Sequence, residues 1–204
     1  MLDQPCGVAQ QLPRGGGELG IAVDQVETPL RLERTQMKRR RAEWIGGAGW
    51  KLTRAIVMAN GNWAEAAVGH VLSYGSQAHL NLHPASGTDV AGNLQTTRYN
   101  DFDNFRNLGD VLGTTPIFGS GEVGKWHCVE ARMKLNDANQ SNGVFELWVN
   151  GRLEAQKSGM NWLGDYDAYG INTLFVENYN NDGAPKAQSR YFDNLVVSTQ
   201  RIGC

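Results

Sequence analysis

The sequence predicts an all-β sandwich of two antiparallel sheets, on three observations. From Trp44 onward, apolar and polar residues alternate over short runs, the period of a strand with one buried face. Clusters of Gly, Asn and Asp divide these runs, and 25 glycines in 204 residues supply many turns. No stretch carries a convincing 3.6-residue helical period, so the strands have only one another to pack against.

The predicted strands are residues 50–58, 66–74, 79–83, 126–135, 143–149, 152–157, 171–179 and 191–199. In 79–83, Leu80 and Leu82 face the core, and His79, Asn81 and His83 face outward. In 126–135, Val129, Ala131, Met133 and Leu135 share one face, with Cys128, Glu130, Arg132 and Lys134 on the other. Between 143–149 and 152–157 stands Asn150-Gly151, the preferred two-residue hairpin turn because both positions take φ > 0 at low cost. In 171–179, Leu174 and Val176 face one way, and Phe175, Glu177 and Tyr179 the other. A face alternating aromatic, carboxylate, aromatic is unusual for a merely solvated sheet.

Residues 1–43 differ from the rest. They hold Gly15-Gly16-Gly17 and the basic run Lys38-Arg39-Arg40-Arg41, nearly cancelled by Asp24, Glu27, Glu33 and Glu43. The expected organisation is an irregular N-terminal arm over 1–43, contributing an edge strand near 29–34, and one domain over 44–204. A net charge of −2 and 20% charged residues point to no nucleic-acid partner. No apolar run approaches about 18 residues, so no membrane span is expected. Met1–Gly20 lacks the apolar centre of a signal peptide. Three cysteines give no full disulfide framework; a Cys128–Cys204 bridge and three free thiols are the two readings.

Two segments carry a family likeness. Gly124-Lys125-Trp126-His127-Cys128-Val129-Glu130-Ala131-Arg132-Met133-Lys134-Leu135-Asn136, followed by Asn142-Gly143-Val144-Phe145-Glu146-Leu147-Trp148-Val149-Asn150-Gly151, resembles the W–x–x–V/I–E … K–L–N … D/N–G–x–x–E–x–W–V–N/D–G block of concanavalin A-like jelly rolls. That block occurs in polysaccharide lyases of the alginate and glucuronan lyase kind and in laminin-G-like domains. Residues 191–199 resemble their last strand, and Trp50-Lys51-Leu52-Thr53-Arg54 the strand preceding the lyase cleft. The likeness covers roughly 44–204 and implies a concanavalin A-like β-jelly-roll sandwich that handles a polysaccharide or oligosaccharide, in a secreted or periplasmic setting. The R–S/T–E–L–R and Q–I/V–H strands of the alginate lyases are not found.

The expected activity is β-elimination on a uronate-containing polymer in a groove on the concave sheet. That reaction needs a group to neutralise the uronate carboxylate, a base for the C5 proton and an acid for the leaving oxygen. Lys51 and Arg54 are the expected carboxylate ligands, and His70 or Tyr179 the proton carriers, with Tyr74, Arg98 and Tyr99 as further candidates. A jelly-roll glycoside hydrolase is the alternative that uses Glu177 as acid, with Glu130 as possible partner. A third reading is a non-catalytic carbohydrate-binding module or lectin, in which Trp50, Trp63, Trp162, Tyr166, Phe175 and Tyr179 stack on sugar rings and Asn178 reads hydroxyls. A laminin-G-like adhesion domain is a fourth. Trp126 and Trp148 are assigned to packing.

No cofactor is required. His79 and His83 lie about 13 Å apart on a strand and cannot share zinc. Asp101 and Asp103 in Asn100-Asp101-Phe102-Asp103-Asn104 offer oxygen ligands at calcium-like spacing, with an Asx-rich turn as the plain alternative. The likeness adds Asp193 as a structural calcium ligand. No phosphate loop, dinucleotide fingerprint or Gly-x-Ser-x-Gly elbow is present.

Overall fold

A computed structural model describes residues 18–27 (as backbone), 50–59, 61–73, 78–119, 121–122, 124–181, 183 and 190–204. Eleven strands are described: β1 Glu18–Glu27, β2 Trp50–Ala59, β3 Ala64–Ser73, β4 Asn81–Ser86, β5 Arg106–Asn107, β6 Val111–Leu112, β7 Val129–Lys134, β8 Gly143–Val149, β9 Arg152–Met160, β10 Thr173–Asn180 and β11 Tyr191–Ser198. The only helical turn among the described residues is a short 3₁₀ segment at Phe102–Asn104. All eight strands expected from alternation are present, with ends shifted by up to three residues.

The strands form two antiparallel sheets, in the orders β11-β1-β7-β8-β9 and β10-β2-β3-β4-β5, with β6 also pairing with β4. β1 falls within the stretch read as an irregular arm. It is an interior strand, pairing with β11 on one side and β7 on the other. Leu19, Ile21 and Val23 alternate there with Gly20, Ala22 and Asp24, a strand signal masked by the neighbouring glycine run. The proposed edge strand at 29–34 and the basic run at 38–41 lie outside the described residues.

Between the sheets lies the core. Leu52, Val57, Val71 and Leu82 from one sheet meet Met133, Phe145 and Leu147 from the other, all at most 2% exposed. The sheets approach closely at Gly69 in the middle of β3. A Cβ there would stand 2.8 Å from the Met133 sulfur and 3.2 Å from the Phe145 ring, so a side chain at this position forces the layers apart. Trp162, expected on a sugar platform, is fully buried with its ring 5.7 Å from Phe145. Tyr166 packs against the same core. Trp126, expected to pack, is 41% exposed. Trp148 is buried as expected, and the Arg201 guanidinium lies 4.8 Å from its ring centroid.

The β8–β9 hairpin turns at Asn150 (φ 51°) and Gly151 (φ 78°), the left-handed pair the dipeptide predicts. Cys128 and Cys204 are bridged, fixing the C-terminal residues to the first sheet. Beside the bridge, the fully buried Glu130 carboxylate accepts from the backbone N–H groups of Ile202 (2.8 Å) and Gly203 (3.2 Å). Glu130 therefore has a structural task, and it lies in the other sheet from Glu177, which excludes it as the second hydrolytic carboxylate.

Candidate active site

Strand register assembles the site. Phe175 pairs with Arg54, Arg54 with His70, and His70 with His83, so four strands place these side chains in one row on the face away from the core. The next row holds Tyr179, Lys51, Leu72 and Asn81. Leu52 makes the β2–β3 register shift between Lys51 and Thr53, and a second irregularity lies between Val176 and Tyr179 on β10. Both bulges fall beside Lys51, Glu177 and Tyr179 and re-aim side chains at the site.

Arg54 is the centre of a buried charge cluster. Its Nη2 and Nε donate to Glu177 Oε1 (2.7 Å) and Oε2 (3.3 Å), a two-pronged pair, and its Nη1 donates to Asn100 Oδ1 (3.0 Å). Glu65 Oε1 lies 3.5 Å from the same Nη1. Glu65 is fully buried and its Oε2 accepts from the Asn100 backbone N–H at 2.7 Å. Burial pushes the Glu65 carboxyl up, against the Asn100 and Arg54 contacts that lower it. Burial also opposes ionisation of Glu177, but contacts from His70 and Arg54 prevail and bring it down to about 2. For Arg54, burial is outweighed by the bond to Glu177 and its charge, and the guanidinium is held above its ordinary value.

His70 is 6% exposed, and its Nε2 stands 3.1 Å from Glu177 Oε2, off the axis a hydrogen bond prefers. Burial lowers its pKa to about 4, more than the neighbouring carboxylate restores, so the imidazole is neutral at physiological pH. Lys51 is lowered chiefly by burial and then by the Arg54 charge. Its Nζ lies 4.9 Å from the centroid of the Tyr179 ring, which is 56% exposed.

Residues 97–105 form one wall. The Asp101 carboxylate accepts from the Thr97 N–H, the Thr97 hydroxyl and the Asn104 amide, an Asx-type turn that fixes the loop. Asn100 (φ 55°) then reaches both Arg54 and Glu65. Tyr99 sits over the Arg54 guanidinium, 5.4 Å from it, and Phe102 and Phe105 line the groove. The cavity measures about 240 Å³ and is lined among others by Lys51, Arg54, His70, His83, Phe102 and Asn107.

Lys51, Arg54, His70, Glu177, Tyr179, Tyr99 and Phe175 thus come together. Trp50 does not join them: it is buried, with the Arg190 guanidinium 5.4 Å from its ring. Asn178 is exposed in the irregular stretch of β10. The Arg98 side chain is 70% exposed and lies 3.7 Å from Asp101. Tyr74 lies outside the described residues. Asp101 serves its own turn, Asp103 is exposed, and Asp193 stands on β11 in the opposite sheet. Among the described residues no three His, Cys, Asp or Glu side chains converge as metal ligands.

Sequence reasoning missed His83 and Asp110 as site residues. His83 Nδ1 lies 2.7 Å from Asp110 Oδ1 on the cavity wall, with both side chains about one-third exposed. The outward assignment of His83 carried the signal for that residue; its pairing with Asp110, 27 positions away, did not show in the alternation. Glu65 and Asn100 were missed as well, because their roles exist only through Arg54.

No family model and no curated protein matches the chain. Solved structures do. Alginate lyase Aly36B aligns with a TM-score of 0.56 at 18% identity, over 89% of this chain and 69% of that one. The alginate lyase vAL-1 from Chlorella virus aligns with a TM-score of 0.59 at 13% identity, over 90% and 71%. The endo-beta-1,4-glucuronan lyase from the fungus Trichoderma reesei aligns with a TM-score of 0.57 at 15% identity, over 95% and 74%. The chain has the jelly-roll sandwich fold of these polysaccharide lyases.

Proposed function

We propose that this protein is a polysaccharide lyase that cleaves a uronate-containing chain by β-elimination in the groove across β10, β2, β3 and β4. The observation that carries the reading is the pair of rows on the face away from the core, with two cations and a neutral imidazole lining one cavity and the exposed Tyr179 phenol beside Lys51. The shared fold with alginate and glucuronan lyases supports it.

Lys51 meets the uronate carboxylate. Arg54, already bound to Glu177 and Asn100, adds positive charge from below and withdraws electron density as the C5 carbanion forms. Tyr179 and His70 exchange protons with C5 and the leaving glycosidic oxygen, and His83, steadied by Asp110, is the third proton carrier on the opposite wall. Elimination consumes no water: the C5–H and C4–O bonds break, a C4–C5 double bond forms, and the proton passes to the leaving oxygen.

The hydrolase reading fits less well. Its general acid must hold a proton near neutral pH, whereas Glu177 is brought down to about 2 and its neighbour Glu65 is fully buried. Binding without cleavage is the second reading, because Glu177 already occupies Arg54. Incubation with alginate, glucuronan and a β-glucan separates these cases. Absorbance near 235 nm reports elimination, new reducing ends without it report hydrolysis, and retention without either reports binding alone. The last two outcomes overturn the proposal.

A further inference from the structure

We propose that Trp63 forms an outlying sugar subsite, joined to the groove by Tyr99 and Phe175, so that the protein grips a chain of several rings. This rests on reading the groove as a polysaccharide site. Trp63 is 58% exposed and its backbone is left-handed, with φ at 63°. Bulky residues adopt that conformation rarely, and such strain persists only where the surroundings hold it. The holding contacts are visible. Asn62 Nδ2 donates to the Thr97 carbonyl at 3.0 Å, fastening the β2–β3 turn to the loop that carries Tyr99 and Asn100.

The core makes no use of the Trp63 ring. Its contact is edge-on with Tyr99, at 6.3 Å between centroids and 83° between planes. Tyr99 meets Phe175 in the same way, at 6.2 Å and 65°. Phe175 belongs to the row with Arg54 and His70. Three rings therefore lead from the charge cluster to the turn, each about one sugar's length from the next. The C–H faces of pyranose rings are apolar and stack on flat aromatics. A strained, exposed indole at the end of this series serves a sugar beyond the cleaved bond.

The test uses Trp63→Gly, which removes the ring and relieves the left-handed backbone, and Trp63→Phe, which retains a ring. Mobility of each protein is measured in gels containing alginate or glucuronan. KM and kcat are measured on the polymer and on the shortest oligosaccharide that is cleaved. Trp63→Gly is expected to run unretarded and to raise KM on the polymer about tenfold. Its kcat, its KM on the short substrate and its melting temperature should stay at or above wild-type levels, with Trp63→Phe restoring most of the polymer affinity. Wild-type retardation and polymer KM in Trp63→Gly overturn the subsite, as does an equal loss on both substrates. If no polymer yields unsaturated product, the lyase reading falls, while gel retardation of wild type but not of Trp63→Gly still upholds the sugar subsite and equal mobility overturns it.

Discussion

Replacing Glu177 with Gln removes one negative charge and almost no volume, which makes it a direct probe of the buried cluster. In the native protein the Arg54 and Glu177 side chains are 4% and 14% exposed and joined by two hydrogen bonds. Removing one partner of a buried pair costs about 3–5 kcal/mol, because the remaining charge stays out of water. Here Glu65 and Asn100 still face the guanidinium, and the Gln carbonyl keeps one of the two bonds. The expected loss is therefore about 2–3 kcal/mol. In a domain of this size each kcal/mol lowers Tm by about 2–4 °C, so Tm should fall by about 5–10 °C. Urea unfolding followed by tryptophan fluorescence should show a lower midpoint at unchanged slope. The double variant Arg54→Met, Glu177→Leu should lose less than the two single variants combined, since neither member of the pair is left facing an empty partner and only Glu65 loses its cation. A Glu177→Gln protein with wild-type midpoint and Tm would refute the cluster as a stabilising unit.

Three further outcomes follow from the same geometry. Stability should fall on acidification between pH 6.5 and about 4, because unfolded His70 takes up a proton there while the folded imidazole resists it; the drop is about 3 kcal/mol, and His70→Asn should flatten this part of the curve. Glu177 adds to the loss at lower pH, as its folded value of about 2 lies below the ordinary carboxylate range. On a cleaved polymer, Tyr179→Phe should lower kcat by at least about a hundredfold with Tm unchanged, and Lys51→Ala should raise KM; near-wild-type turnover in Tyr179→Phe would remove the phenol from the reaction. Reducing the Cys128–Cys204 bridge, which spans 76 positions, should cost up to about 4 kcal/mol by loop entropy, read as a Tm shift with and without reductant.

How much of this was legible in the chain depends on how local the signal is. Strand alternation is local, so it gave the two sheets, the inward faces of β4 and β7, and the outward set Phe175, Glu177 and Tyr179 on β10. The Asn150-Gly151 turn was equally plain, since two adjacent residues carry the whole conformational preference. β1 carries the same alternation at Leu19, Ile21 and Val23, but it was read together with the glycine run and charged residues around it, although β1 is interior and supports two neighbours. Tryptophan alone does not tell platform from core, and so Trp162 and Trp126 were exchanged: only the facing sheet decides which indole is covered.

The sequence by itself determined the all-β class, the hairpin and the chemical types available on the open face. Register across four strands decided that Phe175, Arg54, His70 and His83 stand in one row. Packing of residues 97–105 against β2 and β3 decided that Asn100 and Glu65 serve Arg54, and that Asp101 is a turn-former. Charge and pKa at the site follow from that packing, because desolvation and ion pairing depend on distances between residues as far apart in the chain as Arg54 and Glu177, 123 positions. Alternation along one strand holds no information about such distances.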